Sequence, residues 1–328
     1  MSDTATLSRL FATIEPDLEI VDREFQRRAT SGLEILNAAA AHAMSSPGKR
    51  LRTALTLISG KLFTYRFDKL LPLSIAFEMT HLATLVHDDI IDQATTRRGI
   101  PTVNARYGEP VSILLGDYLF ARTAGLIADV QDFRIDRLFS ETVATVCEGT
   151  IIELLSARRM DTSEERYLER VNRKTACLIA ACCKGGATVG GASDEQIELM
   201  NDYGVSLGIA FQIIDDVLDY TGSDQSIGKP AGNDLRQGVV TLPLIYALRN
   251  EHNGRIEQVQ RLLASEAPGE DDVAAVVRWV NATPAIQESL EVAREYAMRA
   301  KSLLARFPSS SDRATLEEVV DFVLARSH

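Results

Sequence analysis

The chain has 328 residues, 45% hydrophobic and 25% charged, an ordinary globular composition that supplies a large core and excludes disordered, collagenous and low-complexity classes. Asp and Glu number 46 against 35 Lys and Arg, a formal net charge of −11, so the surface repels a polyphosphate backbone and nucleic acid is set aside as a partner. Phosphate ligands stay open, because a bound metal ion inverts the local charge.

The opening stretch MSDTATLSRLFATIEPD carries early acids and no apolar h-region, so it does not read as a signal peptide. No uncharged apolar run of about 18 residues occurs, so no transmembrane segment is expected and the protein is read as cytoplasmic. Cys147, Cys177, Cys182 and Cys183 lack paired CxxC spacing. They read as reduced thiols, with Cys182 and Cys183 buried in an apolar helix.

Gly and Pro are sparse, at 20 and 10, and they punctuate long segments with a helical apolar period. Leu73–Thr96 reads as a helix with Pro72 in its first turn. A loop, Thr95–Pro110, follows it, and Pro110 opens the next helix. Thr162 with Glu165, and Ser193 with Gln196, read as capping boxes. Thr221–Gly238 is Gly-rich and long enough to be a lid. No convincing strand and no linker appear. The expectation is one all-α domain over residues 1–328, a large helical bundle of roughly a dozen helices.

Two segments carry the chemistry. HDDIID holds Asp88, Asp89 and Asp92; DDVLDY holds Asp215, Asp216 and Asp219. Both have D-D-x-x-D spacing at the C-terminal end of an apolar helical run, where i,i+4 acids share a face. There they oppose the helix dipole and repel each other, at a cost of a few tenths to about 1 kcal/mol per contact. Chance gives this spacing on the order of 0.1 times in such a chain, so two copies are not a solvated acidic face. Asp271 and Asp272, in a charged stretch, lack the third acid. Carboxylates so placed suit Mg²⁺, which is held by few acids together with substrate phosphates. Metal-neutralised diphosphate is a good leaving group.

The basic residues sort with these acids. Lys49 and Arg50 stand in PGKRLR, Arg97 and Arg98 follow Asp92, Lys174 lies in NRKTA, and Lys229 in the lid sequence IGKPAGND. As a set in an acidic chain they suggest anchors for two diphosphates. No P-loop pattern and no nucleophile elbow accompany them.

HLATLVHDDIIDQATTRRG, GDYLF, RKTA, GIAFQIIDDVLDY, GKPAGNDL and TLPLIYAL together resemble the trans-isoprenyl diphosphate synthases, the polyprenyl synthase family, in its medium- and long-chain branch. The resemblance runs from GKR to the closing FVLAR. It implies the isoprenoid synthase fold, a helical bundle around a central cavity, forming a homodimer, with a heteromer also open. It further implies head-to-tail condensation of an allylic diphosphate with isopentenyl diphosphate, with Mg²⁺ as cofactor.

Carried over by position, Asp88, Asp89, Asp92 and Asp215 look like metal ligands, with Asp216 and Asp219 supporting. Arg97, Lys174 and Lys229 look like allylic diphosphate contacts; Lys49, Arg50, His81 and Arg98 look like isopentenyl diphosphate contacts. Thr175 and Gln212 look like cavity-wall residues near the reacting carbons. His87 has no such match. Ala83 and Thr84, one turn before Asp88, look like chain-length positions, and small side chains there, with Thr80 further back, leave room for a long product. Phe120 on another helix could supply a deeper floor.

Two positions depart from the family pattern. Val239 stands where a Lys is frequent, and G-E-x-x-Q becomes Gly149-Thr150-Ile151-Ile152-Glu153. Three other readings compete. A class I terpene cyclase would carry a mixed metal motif in place of Asp215–Asp219. A non-catalytic subunit would lose acids from one motif. A short-chain farnesyl or geranylgeranyl diphosphate synthase would put aromatic rings before the first motif.

Overall fold

The computed structural model describes residues 3–45, 50–160, 163–222, 231–249 and 254–326. It is 80% helical and 1% strand. The chain divides into two compact units. The first takes Met1–Val143, Leu178–Gly204 and Leu303–Val319; the second takes Ala144–Cys177, Val205–Ser302 and Val320–His328.

In chain order the first unit opens with α1 (Asp3–Leu10), a 3₁₀ turn (Ala12–Ile14), α2 (Glu15–Arg28), α3 (Glu34–Met44), α4 (Leu51–Lys61) and α5 (Phe67–Ile91). A hairpin of β1 (Thr96–Arg97) and β2 (Ile100–Pro101), then α6 (Val103–Tyr107) and α7 (Glu109–Val130), complete its first stretch. Helix α8 (Phe133–Ser156) begins in this unit and ends in the second. α5 is apolar on nearly every side, with Leu70, Leu73, Ile75, Phe77, Met79 and Ala83 buried, which makes it the core helix of its unit. It packs on α4 and α7. α7 can approach because residue 116 is glycine: a Cβ there would lie 2.1 Å from Nε2 of His87. The His87 ring bonds the Ile113 carbonyl at 3.1 Å, so this histidine serves the α5–α7 contact.

Two expectations are corrected in this unit. α5 begins at Phe67, so Pro72 lies inside it rather than in its first turn. The missing N–H forfeits one bond, to the Asp68 carbonyl near the helix start, where the loss is small. Thr95–Pro110 is not all loop, because it contains the hairpin and α6; strands of two residues are too short to show an alternating pattern. α5 and α7 are each long and apolar enough to cross a bilayer by length and composition, although α5 is mostly buried within its own unit.

The remaining helices are α9 (Glu164–Val171), a π-helical segment (Asn172–Ala176), α10 (Cys177–Val189), α11 (Asp194–Thr221), α12 (Asn233–Gln237), α13 (Leu242–Arg249), α14 (Arg255–Ala264), α15 (Glu270–Asn281), α16 (Ala285–Leu304) and α17 (Ser311–Ala325). The second unit's core gathers Tyr167, Tyr220, Leu235, Leu242, Val259, Val273 and Val280. α9 is capped by Ser163, whose hydroxyl accepts from Arg166 N at 3.2 Å; Thr162 lies outside the described residues. The second capping box forms as expected, with Ser193 N donating to Gln196 at 2.9 Å and Gln196 N to Ser193 at 3.3 Å. All four cysteines are free thiols; burial pushes Cys182 up to about 12, so it stays protonated and inert.

Candidate functional site

In the first unit a cleft of about 730 Å³, open to solvent, is lined by Arg50, Arg97, Arg98, His81, Glu78 and Asp89, with Phe25, Leu82 and Leu85 among its apolar walls. Four residues assigned to diphosphates therefore meet around one cavity. Arg50 occupies the N-cap position of α4 with φ 52° and pairs with Asp22 at 2.7 Å and Glu78 at 3.3 Å, its guanidinium 5.3 Å from the Phe25 ring centroid. Glu78 is buried and also accepts from the Thr53 hydroxyl at 3.3 Å. His81, one turn along, is pushed well below the ordinary histidine range by burial and by Arg52, Arg98 and Arg97. It is neutral at pH 7 and offers a hydrogen bond rather than a charge.

The hairpin aims the arginine pair. Arg97 pairs with Ile100, so Arg98 and Gly99 form a two-residue turn with φ of 51° and 80°, the sign pattern of a type I′ turn. Holding an arginine there costs on the order of 1 kcal/mol, which local contacts must offset. His42 supplies one contact. Arg106 donates to its Nδ1 at 3.2 Å, which fixes the tautomer so that Nε2–H donates to the Pro101 carbonyl at 2.7 Å. Arg97 turns back to donate to Asp89 at 2.8 Å. Asp89 is only 4% exposed, Asp88 is part-buried, and Asp92 is the exposed C-cap of α5. Ala83 is fully buried, and Thr84 is part-buried with its hydroxyl on the His81 carbonyl at 2.8 Å. Lys49 lies outside the described residues.

In the second unit Asp215, Asp216 and Asp219 stand on the last turns of α11. Asp216 is 5% exposed and accepts from Tyr167 at 2.7 Å and from Gln212 at 2.7 Å, and Thr175 donates to Gln212 at 2.9 Å. Burial drives the Asp216 carboxyl upward against those hydrogen bonds. Lys174 and Thr175 sit in the π-helical segment, a widened turn often found at functional sites. Lys174 donates to Glu153, and Arg170, fixed on the Val240 carbonyl at 2.8 Å, lies 3.9 Å from the same carboxylate. The acid that breaks the usual G-E-x-x-Q pattern is thus the partner of the lysine. Asp215 pairs with Arg326 at 2.8 Å. Lys229 lies outside the described residues.

Glu78, Tyr167, Arg170 and Arg326 were not singled out from the sequence. Glu78 had a signal, as a lone acid three residues before His81 in a run of core side chains. The other three are joined to their partners only by folding.

The acids offer hard oxygen donors that suit Mg²⁺. Asp89 and Asp215 each already face a guanidinium, which shows that both carboxylates take a positive charge. Among the described residues no three acidic, imidazole or thiolate groups converge on one point, so an ion here would complete its shell with water and ligand phosphates.

A helical chain of net negative charge that gathers guanidinium groups into a cleft beside an aspartate motif is an enzyme built to handle diphosphates. The chain belongs to the polyprenyl synthetase family, whose model matches residues 33–280. It is 35% identical over 324 residues to the heptaprenyl diphosphate synthase component 2 of Geobacillus stearothermophilus, covering 98% of this chain and 99% of that one. Two solved structures are similar in fold. The polyprenyl synthase of Caulobacter crescentus CB15, complexed with calcium and isoprenyl diphosphate, has a TM-score of 0.94 at 34% identity over 98% of both chains. The decaprenyl diphosphate synthase of Rhodobacter capsulatus has a TM-score of 0.93 at 32% identity, over 98% of this chain and 99% of that one. The protein is a prenyltransferase with the isoprenoid synthase fold.

Proposed function

We propose that the chain adds isopentenyl diphosphate head to tail onto an allylic diphosphate, giving a medium- to long-chain all-trans polyprenyl diphosphate. The observation that carries this reading is the cleft where Arg50, Arg98 and His81 meet beside Asp89 and Arg97. Arg50 and Arg98 bind the isopentenyl diphosphate by charge and His81 by an N–H donor, while Arg97 serves the allylic diphosphate, a role that the resemblance also gives to Lys174 in the second unit. Mg²⁺ held by Asp88, Asp89 and Asp92 in the first unit would neutralise the charge that builds on the departing diphosphate, and Asp215 in the second unit offers a further carboxylate ligand for such an ion. The allylic carbon–oxygen bond ionises, the isopentenyl double bond attacks, and the released diphosphate takes the proton. Thr175 and Gln212, hydrogen-bonded to each other in the second unit, keep the role near the reacting carbons that the resemblance gives them, and no protein nucleophile is required.

The preferred product length follows the hepta- and decaprenyl relatives and the small side chains of Ala83 and Thr84. Exposed Ile113 and Leu114 on α7, the latter 63% exposed, support a subunit partner. A second copy of the chain in a cytoplasmic homodimer is the simplest occupant. The Geobacillus relative is by name one component of its enzyme, which favours a heteromer as the second reading. Incubation of the purified chain with Mg²⁺, isopentenyl diphosphate and allylic primers of increasing length, followed by product chromatography, tests the proposal. Elongated prenyl diphosphates support it. Cyclised hydrocarbon without use of isopentenyl diphosphate would overturn it.

A further inference from the structure

By resemblance Asp215, Asp216 and Asp219 share one task, metal binding, with Asp215 as ligand and the other two in support. We propose that Asp219 has a different one: it is a positioning residue that fastens the backbone of Gly232–Asp234, and it does not ligate metal. This rests on the metal reading of Asp215 only for contrast. Three successive backbone N–H groups converge on Asp219. Asn233 N donates to Oδ1 at 3.0 Å, Asp234 N to Oδ2 at 3.0 Å, and Gly232 N to the Asp219 carbonyl at 2.8 Å.

The fourteen- and fifteen-residue separations make this a tertiary clasp and not a local turn. It answers a need of α12, whose first N–H groups have no partner within the helix. The rest of the neighbourhood holds the same segment. Gly232 has φ 83°, and a Cβ on it would lie 2.8 Å from both Val273 and Val277, so the chain is seated against α15. Asn281 at the end of α15 donates to the Tyr220 carbonyl at 2.8 Å, beside Asp219 on α11.

The sign of the local charge separates the acids. The positive ends of two peptide dipoles point at both oxygens of Asp219, which disfavours a cation beside them. Asp215 instead faces the guanidinium of Arg326 at 2.8 Å, an environment that already accommodates positive charge. Gly232 follows Lys229 by three residues in sequence, so the clasp fixes the backbone just beyond a proposed diphosphate contact.

Two readouts test this on the full-length chain. Hydrogen exchange reports the amides of Asn233 and Asp234, and electron paramagnetic resonance reports Mn²⁺ binding with inorganic pyrophosphate as the probe ligand. Asp219→Ala should speed exchange at both amides by about 10- to 100-fold, the range for losing hydrogen bonds to a charged acceptor. It should leave Mn²⁺ affinity within about twofold. Asp219→Asn keeps the shape and one acceptor, so only one of the two amides should speed up markedly. Unchanged exchange in both variants, or a tenfold loss of Mn²⁺ affinity in either, would overturn the proposal. Asp215→Ala is the control: if it also binds Mn²⁺ normally, the metal reading of the motif fails, while the clasp stands on the exchange rates.

Discussion

Gly149 is where the second unit should be most sensitive to a single methyl group. It faces the π-helical segment so closely that a Cβ would lie 2.5 Å from Lys174 N, 2.7 Å from Arg173 C and 2.8 Å from Lys174 Cα. All three atoms are backbone, so no side chain can rotate away, and the segment must retreat by about 0.9 Å to restore contact at 3.4 Å. Overpacking of this kind costs about 1–3 kcal/mol. The retreat also carries Lys174 and Thr175 out of register with Glu153 and Gln212, their hydrogen-bond partners. Misplacement of a substrate-positioning group by about 1 Å can cost on the order of 10²-fold in rate. Gly149→Ala should therefore lose stability in urea unfolding, and kcat/KM for the allylic diphosphate should fall about 10- to 100-fold. Glu148→Ala, at the exposed neighbouring position, should change neither by a comparable amount. A Gly149→Ala protein with native unfolding midpoint and native kcat/KM would refute the close-approach argument.

Asp88→Ala or Asp215→Ala should each lower turnover by at least about 10²-fold, as loss of a major electrostatic stabiliser does, and near-normal turnover in metal-limited buffer would remove that acid from the metal site. Ala83→Phe puts a ring on the buried face of α5 just before the first motif, and should shift products toward three or four isoprene units, as in the short-chain members of the family; since Ala83 is fully buried, about 1–3 kcal/mol of stability should go with it. An unchanged product distribution in the folded, active variant would show that the hydrocarbon runs elsewhere. His81 gives a pH signature. Its folded-state pKa is lowered, so the unfolded chain binds a proton that the folded chain refuses, and stability should decline as pH falls below about 6.5. His81→Gln should flatten that part of the profile; identical slopes for the two proteins in urea titrations across pH 5–8 would contradict the assignment.

The sequence by itself determined the helical class, both aspartate motifs and the family, because each is written in local periodicity or spacing. Apolar residues one turn apart specify α5 and α11 without reference to any other segment, and D-D-x-x-D near a helix end places its acids through the helical repeat alone. The helix starts were less legible. Pro72 looked like a beginning, yet α5 could absorb one missing hydrogen bond near its N-terminus while burying Leu70 and its neighbours. Tertiary structure alone decided the hairpin, whose two-residue strands are too short for a pattern and which is held by His42 from a distant helix. It also decided what each acid does. Asp215, Asp216 and Asp219 are equivalent in the motif, yet one faces a guanidinium, one a tyrosine and a glutamine, and one the backbone of Asn233 and Asp234. A carboxylate's task is set by the charges and dipoles that folding brings against it. Gln212 lies one turn before Asp216 on α11, but the other partners, from 14 to 111 residues away along the chain, have no trace in the local spacing.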